Sequence, residues 1–323
     1  VLFLKKFIFN KYITFLYMLF FKKINSVNQQ IIFPILDDND FKIYIKREDK
    51  IHPIVSGNKF RKLKYNIQKA KELNKNIIIT FGGAHSNHLL ATAYVGKKEN
   101  LKTIAYVRGE ELKNIKYNST LQKCNDFGME FVFISRGDYR KRNELDYIKS
   151  IKTKFKDAYV IPEGGTNELG VLGCEEILTL DDSFFDVICC PVGSGGTISG
   201  IINSSSNNHK VIGFSALKGS EINNVISKFV NKSNWKIFDD DIFGGYANID
   251  NRLVDFINKF YKNTGLELDP IYNSKMLFKI IKLIESKKWE FGKKILLINT
   301  GGQQSVKEMN IKLKKKGCEI IKY

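Results

Sequence analysis

Residues 186–200 read DVICCPVGSGGTISG, and this stretch gives the strongest indication of both the fold and a binding site. An apolar run with the composition of a buried strand leads into a glycine-rich loop, after which a helix is predicted to begin. Successive backbone N–H groups at a helix N-terminus attract an anion, and glycine lets the backbone wrap around a phosphate. The stretch therefore predicts a strand, a phosphate-binding loop and a helix.

The same strand-to-helix alternation runs along the chain from residue 41 onward. Short runs rich in Val, Ile, Phe and Tyr predict strands at 42–46, 77–81, 103–107, 130–134, 158–161, 186–192, 211–214 and 295–299. Amphipathic segments between them predict helices at 59–73, 86–99, 117–127, 139–154, 168–180 and 273–287. This order favours an α/β fold whose mostly parallel sheets are covered by helices on both faces.

Gly-Gly pairs follow four of these strand candidates. They lie at Gly82-Gly83, Gly164-Gly165, Gly195-Gly196 and Gly301-Gly302. Ligands of open α/β sheets bind beyond the carboxyl ends of the strands, where the backbone approaches closely. Four such turns suggest one crevice assembled from distant segments, although each pair taken alone fits ordinary turn chemistry.

The loop does not match the common nucleotide motifs. Ile198 occupies the last glycine position of the dinucleotide fingerprint, and no acidic residue closes the next strand, VIGFSA. The Gly-Lys-Ser/Thr of a P-loop is also absent. A small terminal phosphate held by backbone and hydroxyl groups suits a phosphorylated cofactor such as pyridoxal phosphate (PLP), which also needs a lysine. Spacing alone does not choose that lysine.

Charge and cysteine content exclude other classes of function. The net charge is +18, but only seven of the 52 basic residues are Arg, and the lysines are spread along the chain. This pattern indicates a solvated surface rather than a nucleic-acid site. The cysteines form no metal-ligand spacing, and Cys189-Cys190 lie in an apolar run, so we expect a cytoplasmic protein with core cysteines and no structural metal.

The first residues have an unusual composition. The chain begins with Val, its first Met is Met18, and the longest uncharged run within residues 1–27, at 12–21, is too short to span a bilayer. We interpret residues 1–27 as an atypical tail, which an over-extended gene start would explain if the true protein begins near Met18. A short membrane-surface anchor is the alternative, and no stable membrane insertion is expected.

Several motifs together resemble one enzyme family. KREDKIHPIVSGNKFRK, FGGAHSNHLLATA, IPEGGTNELGVLGCEEI, VGSGGTISG, FGGYANID, LDPIYNSKM and NTGGQQS look like motifs of the D-cysteine desulfhydrase / 1-aminocyclopropane-1-carboxylate deaminase family. They keep the family's order from about residue 28 to 323. The resemblance implies PLP as cofactor, the tryptophan synthase β-like fold (fold type II), a small amino-acid substrate and a homodimer.

The resemblance also implies roles for individual residues. Lys59, presented by Ser56-Gly57-Asn58, resembles the Schiff-base lysine, and its amine can move the Cα proton of the substrate. Asn87 resembles the partner of the phenolic oxygen, and Ser86 resembles a catalytic residue that contacts the substrate. N-capping of helix 86–99 is the structural alternative for both. The remaining cofactor and substrate residues implied are Asn58, His88, Gly193, Ser194, Gly195, Gly196, Thr197, Tyr246, Tyr272 and Thr300, with Tyr246 and Tyr272 also catalytic and His88 expected to support its turn.

Two positions distinguish the branches of the family. The deaminase branch has Glu where this chain has Asn273, and Leu where it has Thr300. A carboxylate facing the pyridine nitrogen of the cofactor would keep that nitrogen protonated and make the ring a strong electron sink. The neutral hydroxyl of Thr300 offers only a hydrogen bond, so the ring is a milder electron sink, which favours β-elimination of a thiolate from D-cysteine. However, Asn273-Ser274 and Asn299 depart from the desulfhydrase pattern, so the cyclopropane deaminase, a lyase for another small amino acid and a non-catalytic PLP-binding protein stay open.

We expect a large PLP-binding domain (28–62 and 173–323) and a small domain (63–172).

Overall fold

The computed structural model describes residues 20–21, 24–34, 40–216, 221–239 and 243–323. Nearly all of the apolar run at 12–21, and most of the predicted tail, lie outside these residues. The chain divides into two compact units. The first unit contains the described residues up to Ile24 and Lys59–Gly170, and the second contains Asn25–Asn58 and Val171–Tyr323. Within the described ranges no helix is both long and apolar enough to span a membrane.

Strands and helices alternate along most of the chain. The strands are β1 (Asn28–Ile31), β2 (Lys42–Lys46), β3 (Ile77–Gly83), β4 (Lys102–Arg108), β5 (Met129–Ile134), β6 (Ala158–Ile161), β7 (Val187–Val192), β8 (Lys210–Ser215), β9 (Trp235–Phe238) and β10 (Lys294–Ile298). The helices are α1 (Asn58–Glu72), α2 (Asn87–Glu99), α3 (Ser119–Asp126), α4 (Arg136–Arg140), α5 (Leu145–Lys154), α6 (Glu168–Glu175), α7 (Gly196–Ser204), α8 (Ile222–Ile226), α9 (Asn251–Thr264), α10 (Asn273–Glu285) and α11 (Ser305–Lys315).

The first unit is built on a parallel sheet with the strand order β5-β4-β3-β6. The side chains of β3 are buried along most of its length, as a strand covered on both faces requires. Helix α1 buries Phe60, Leu63, Ile67 and Ala70, whose spacing of three and four residues forms one apolar stripe. The strand and helix patterns therefore confirm the α/β class for this unit.

The second unit contains a sheet with the strand order β1-β2-β10-β7-β8-β9. All neighbours in it are parallel except β1 and β2. Successive residues of β7 enter different cores: Val187 and Cys189 belong to one cluster, Ile188 and Cys190 to the other. Both faces of the sheet are thus covered, which confirms the three-layer prediction and the placement of both cysteines in the core.

Two predicted helices differ from the structure. Helix α6 ends at Glu175, five residues before the predicted end of the helix 168–180. The segment 139–154 is not continuous, because a 3-10 turn at Lys141–Asn143 and an extended Glu144 separate α4 from α5. Tyr139 donates its hydroxyl to Glu163 Oε1 at 2.5 Å, and Arg142 Nε donates to Glu163 Oε2 at 2.7 Å. These contacts with a distant residue favour the break, whereas the local pattern favours a continuous helix.

Candidate cofactor and active site

The glycine-rich loop of the second unit connects β7 to α7. Gly195 precedes the helix with φ +85°, a conformation that favours glycine, and no side chain caps the helix. The first N–H groups of a helix have no intrahelical acceptor, and they carry partial positive charge. The N-terminus of α7 is therefore suited to an anion, as the sequence predicted.

The turn before Lys59 contacts this loop and the end of β10. Asn58 Nδ2 donates to Thr197 Oγ1 at 2.8 Å, and Asn58 N donates to Thr300 O at 3.4 Å. Gly57 has φ +61°, and a Cβ there would lie 2.0 Å from Thr300 O. Only glycine fits, because the backbone of residue 300 occupies the space of a side chain.

Thr300 is buried in the turn that follows β10. Its N–H donates to Asn273 Oδ1 at 3.2 Å, and Asn273 Nδ2 donates to Gly301 O at 3.1 Å. Asn273 is itself fully buried at the start of α10. The two positions that we used to distinguish the family branches are therefore in direct contact.

The two tyrosines of the prediction lie together in the second unit. The rings of Tyr246 and Tyr272 are edge-to-face, with their centroids 6.0 Å apart. A Cβ on Gly193 would lie 3.3 Å from Tyr272 Cε1, so Tyr272 packs beside the glycine-rich loop. Tyr246 is 44% exposed and Tyr272 is half-buried. This unit thus brings the loop, both tyrosines, Asn58 and Thr300 into one connected neighbourhood.

The first unit holds the other predicted residues. Lys59 is the second residue of α1, and Asn87 is the first residue of α2. Ser86 is the N-cap of α2, and its Oγ accepts from Leu89 N at 3.4 Å. The capping alternative is therefore observed, but it uses Oγ as an acceptor. The hydroxyl hydrogen can still be donated to a substrate.

His88 is buried beside these residues, and its hydrogen bonds define its tautomer. Thr80 donates its single hydroxyl hydrogen to Ile161 O at 2.8 Å, so Thr80 Oγ1 must accept from His88 Nε2, also at 2.8 Å. Within the described ranges Nδ1 has no partner. Burial lowers the pKa of His88 well below 6.5, and the positive charges of Lys59 and Lys62 lower it further. The imidazole is therefore neutral.

Comparison with known proteins identifies the family. Residues 33–301 match the pyridoxal-phosphate dependent enzymes. This chain belongs to that family. A Thermotoga maritima protein, provisionally named a 1-aminocyclopropane-1-carboxylate deaminase, is 33% identical over 81% of this chain and 89% of its own length. The mitochondrial bifunctional D-cysteine desulfhydrase/1-aminocyclopropane-1-carboxylate deaminase of Arabidopsis thaliana is 32% identical over 82% and 73%, respectively.

Solved structures agree with this assignment. The crystal structure of an ACC deaminase homologue superimposes with a TM-score of 0.73 and 26% identity, covering 90% of this chain and 94% of that protein. The chain is thus a PLP-dependent enzyme with the α/β fold of type II.

The donors of this PLP-dependent enzyme fit the phosphate group of PLP and the hydrogen-bond acceptors on its ring. The uncapped N-terminus of α7 offers backbone donors for a phosphate. Asn299 Nδ2 and Gln303 Nε2, on either side of the turn after β10, are buried donors without a partner in the described chain. Buried donors are rarely left unpaired, so a ligand that carries acceptor groups suits this turn.

Two residues that support the candidate site were absent from the sequence prediction. Asp269 is a fully buried carboxylate in the turn that precedes α10. Lys275 Nζ donates to Gly245 O at 2.9 Å, and so holds the loop that carries Tyr246. The Asp-Pro pair just before a helical pattern was a usable sign of a turn held by the Asp269 side chain. No local pattern identified the contact of Lys275.

Proposed function

We propose that this enzyme acts on a small amino acid as a lyase, and that it converts D-cysteine and water to pyruvate, hydrogen sulfide and ammonia. The observation that supports this reaction is the neutral turn after β10. Thr300 contributes a hydroxyl, and Asn273 contributes an amide whose oxygen and nitrogen are both bound to the backbone of the turn. The name of the Arabidopsis relative includes this activity.

The proposed roles of the chain's own groups follow from their chemistry. Lys59 would hold the cofactor covalently, and its Nζ amine would be the base that removes the Cα proton of the substrate. Ser86 donates a hydrogen bond to the substrate, and Asn87 contacts the cofactor's phenolic oxygen. Bound PLP supplies the electron sink for the electron pair left at Cα. The loop 193–197 and Asn58 hold the phosphate end.

The tyrosines and the neutral turn are the parts of the site that we relate to departure of the leaving group. Tyr246 and Tyr272 form one edge-to-face pair, in which Tyr272 lies beside Gly193. We place one of them near the cofactor ring and the other near the leaving side of the substrate. A thiolate leaves readily after the Cα proton is lost, so a hydroxyl at Thr300 suffices. Opening a cyclopropane ring offers no comparable leaving group and needs a stronger sink.

Two other reactions fit the same residues. Relatives at 32–33% identity carry the name 1-aminocyclopropane-1-carboxylate deaminase, which supports that activity as the second candidate. Elimination from another small amino acid would use the same base and phosphate site. A PLP-binding protein without catalysis is disfavoured by the presence of Lys59, Ser86, Tyr246 and Tyr272.

We also propose a domain and assembly interpretation. The second unit would be the large PLP-binding domain and the first unit the small one. The chain passes between the units three times, at the Ile24–Asn25, Asn58–Lys59 and Gly170–Val171 bonds. The homodimer stays a prediction from the family resemblance, and the cytoplasmic location stays a prediction from the cysteine content.

A product assay on purified, PLP-loaded protein tests the proposed function. D-cysteine, L-cysteine and 1-aminocyclopropane-1-carboxylate are supplied in parallel, and pyruvate, sulfide and 2-oxobutyrate are measured. We expect pyruvate and sulfide from D-cysteine and no 2-oxobutyrate. Lys59→Ala should abolish turnover, whereas Lys69→Ala, an exposed lysine of the same helix, should not change it. Substantial 2-oxobutyrate would show that the deaminase reaction is the correct one.

A further inference from the structure

The first turn of α1 is electrostatically unfavourable when the helix is considered alone. Its first four residues include two cations, Lys59 and Arg61, and no acidic residue. The N-terminus of a helix already carries partial positive charge, and its first N–H groups have no intrahelical acceptor. Cations at this end favour fraying, so contacts from outside the helix must stabilise a helix that begins at Asn58.

Two aromatic residues from an early part of the chain make such contacts. Phe21 is 5% exposed, and its ring meets Phe60 edge-to-face with the centroids 5.0 Å apart. Phe20 packs against the same ring at 5.7 Å and against Tyr94 of α2 at 5.9 Å. Phe60, which directly follows Lys59, is buried almost completely. The pair Phe20-Phe21 thus packs on both α1 and α2 within the first unit.

A second contact reaches the same turn through Arg61. This side chain is 2% exposed, and its Nη2 donates to Ile24 O at 3.0 Å. Burying a charged group is costly unless it is hydrogen-bonded, so the carbonyl of Ile24 helps Arg61 to lie inside the unit. Phe60 and Arg61, the two residues after Lys59, are therefore both bound by residues that precede position 25.

We propose that Phe21 and Arg61 are positioning residues for Lys59, which hold the first turn of α1 and so set the direction from which Lys59 reaches the cofactor. A frayed turn would give the Lys59 side chain many directions, whereas a packed turn gives it few. The proposal rests on the proposed function only in so far as Lys59 holds PLP.

Hydrogen exchange and the circular dichroism of bound PLP test this role in the full-length, PLP-loaded protein. In a regular helix the amides of Lys62 and Leu63 donate to the carbonyls of Asn58 and Lys59, so these amides report on the first turn. Phe21→Ala should speed their exchange at least tenfold. It should also at least halve the dichroism per bound PLP, because the cofactor loses its single fixed orientation. Phe21→Leu, which keeps a large apolar side chain, should recover most of both signals.

Arg61→Lys tests the second contact. Lysine keeps the charge but lacks the planar fork of N–H groups that reaches Ile24 O. Exchange of the amides of residues 62 and 63 should rise at least threefold, and the dichroism per bound PLP should fall. Unchanged exchange and dichroism would overturn the role of Arg61.

Tyr106→Ala is the matched control. Tyr106 lies in β4 of the same unit, is 6% exposed and packs against Phe81 with ring centroids 5.5 Å apart, so its loss removes a ring of similar burial. Exchange at residues 62 and 63 and the dichroism per bound PLP should stay within twofold of wild type. Equal effects of Phe21→Ala and Tyr106→Ala would show general destabilisation and overturn the proposal.

The wild-type protein gives an independent result if Phe21→Ala does not fold. The amides of residues 62 and 63 should exchange as slowly as that of Ile67 in the middle of α1. Exchange at the rate of a frayed helix end would overturn the proposal, and so would normal exchange and dichroism in Phe21→Ala. Failure of wild type to act on D-cysteine would refute the proposed reaction but leave these measurements, and therefore the positioning role, standing.

Discussion

At the scale of single residues, the surroundings of a side chain determine its chemistry. His88 could in principle gain a proton near neutral pH, as free histidine does. Its burial and the nearby charges of Lys59 and Lys62 keep the imidazole neutral, and Thr80 fixes the hydrogen on Nε2. We expected His88 to support its turn, and the hydrogen bond to Thr80 is the contact that such a role needs.

The depressed pKa of His88 predicts a pH dependence of stability. In the unfolded chain His88 binds a proton below about pH 6.5, whereas in the folded chain it does not. Neutral His88 therefore leaves the free energy of unfolding unchanged above pH 6.5 and lowers it as the pH falls below 6.5. Relative to His88→Gln, the free energy of unfolding of wild type should therefore decrease below pH 6.5. The slope should reach at most about 1.4 kcal/mol per pH unit.

Urea unfolding of both proteins between pH 5 and 8 measures this difference. The other histidines cancel, because both proteins contain them. A flat difference across the whole range would show that His88 becomes protonated in the folded state as easily as in the unfolded one.

At the scale of elements, the turn at residues 56–58 shows why one position is reserved for glycine. Gly57 N donates to Glu48 O at 2.9 Å, and the missing Cβ leaves space for the carbonyl of Thr300. The turn therefore packs against the end of β10 from a position just before α1. This contact, rather than the helix itself, defines how the chain enters Lys59.

Gly57→Ala should be strongly destabilising. A Cβ at Gly57 would overlap Thr300 O at 2.0 Å, whereas Gly317 has a similar φ of +65° and open space around its Cβ position. Both substitutions carry the strain of the left-handed conformation, about 1 kcal/mol. Gly57→Ala adds the overlap, which should lower the free energy of unfolding by about 1–3 kcal/mol more than Gly317→Ala.

Urea unfolding and the PLP absorbance spectrum test this comparison. We expect Gly317→Ala to keep the spectrum of wild type and Gly57→Ala to change it, because the turn before Lys59 must shift. Equal stability of the two variants would mean that the turn adjusts without effect on its neighbours.

At the scale of the whole chain, a buried ion pair connects segments that are far apart in sequence. Lys46 Nζ lies 2.8 Å from Asp182 Oδ2, and both side chains are almost fully buried. Asn28 Nδ2 donates to Asp182 Oδ1 at 2.7 Å, so residues of β1, β2 and the segment before β7 meet at one carboxylate. Such a pair is costly to break but adds little over an uncharged replacement.

Lys46→Met should lower the free energy of unfolding by about 3–5 kcal/mol, because Asp182 would stay buried without its cation. Lys46→Met with Asp182→Asn should be less destabilised, since no charge is then buried and the new amide oxygen can still accept from Asn28. Chemical denaturation of both variants measures this. A double variant less stable than Lys46→Met would contradict the explanation.

Much of the fold could be predicted from local pattern. Each predicted strand matches an observed strand to within two residues at both ends, and β2 and β6 match in full. The largest difference is at 77–81, where β3 extends through Gly82 and Gly83. The short edge strands β1 and β9 were missed, because four residues such as NQQI carry little periodicity.

The sequence by itself determined the fold class, the glycine-rich loop between β7 and α7 and, through the family motifs, the cofactor. Those features depend on residues close together in the chain, such as the run from Val187 to Thr197. The tertiary structure decided the break between α4 and α5, the tautomer of His88 and the bond between Asn273 and Thr300. Each of these depends on a partner many residues away, or on burial, and neither is encoded in local spacing.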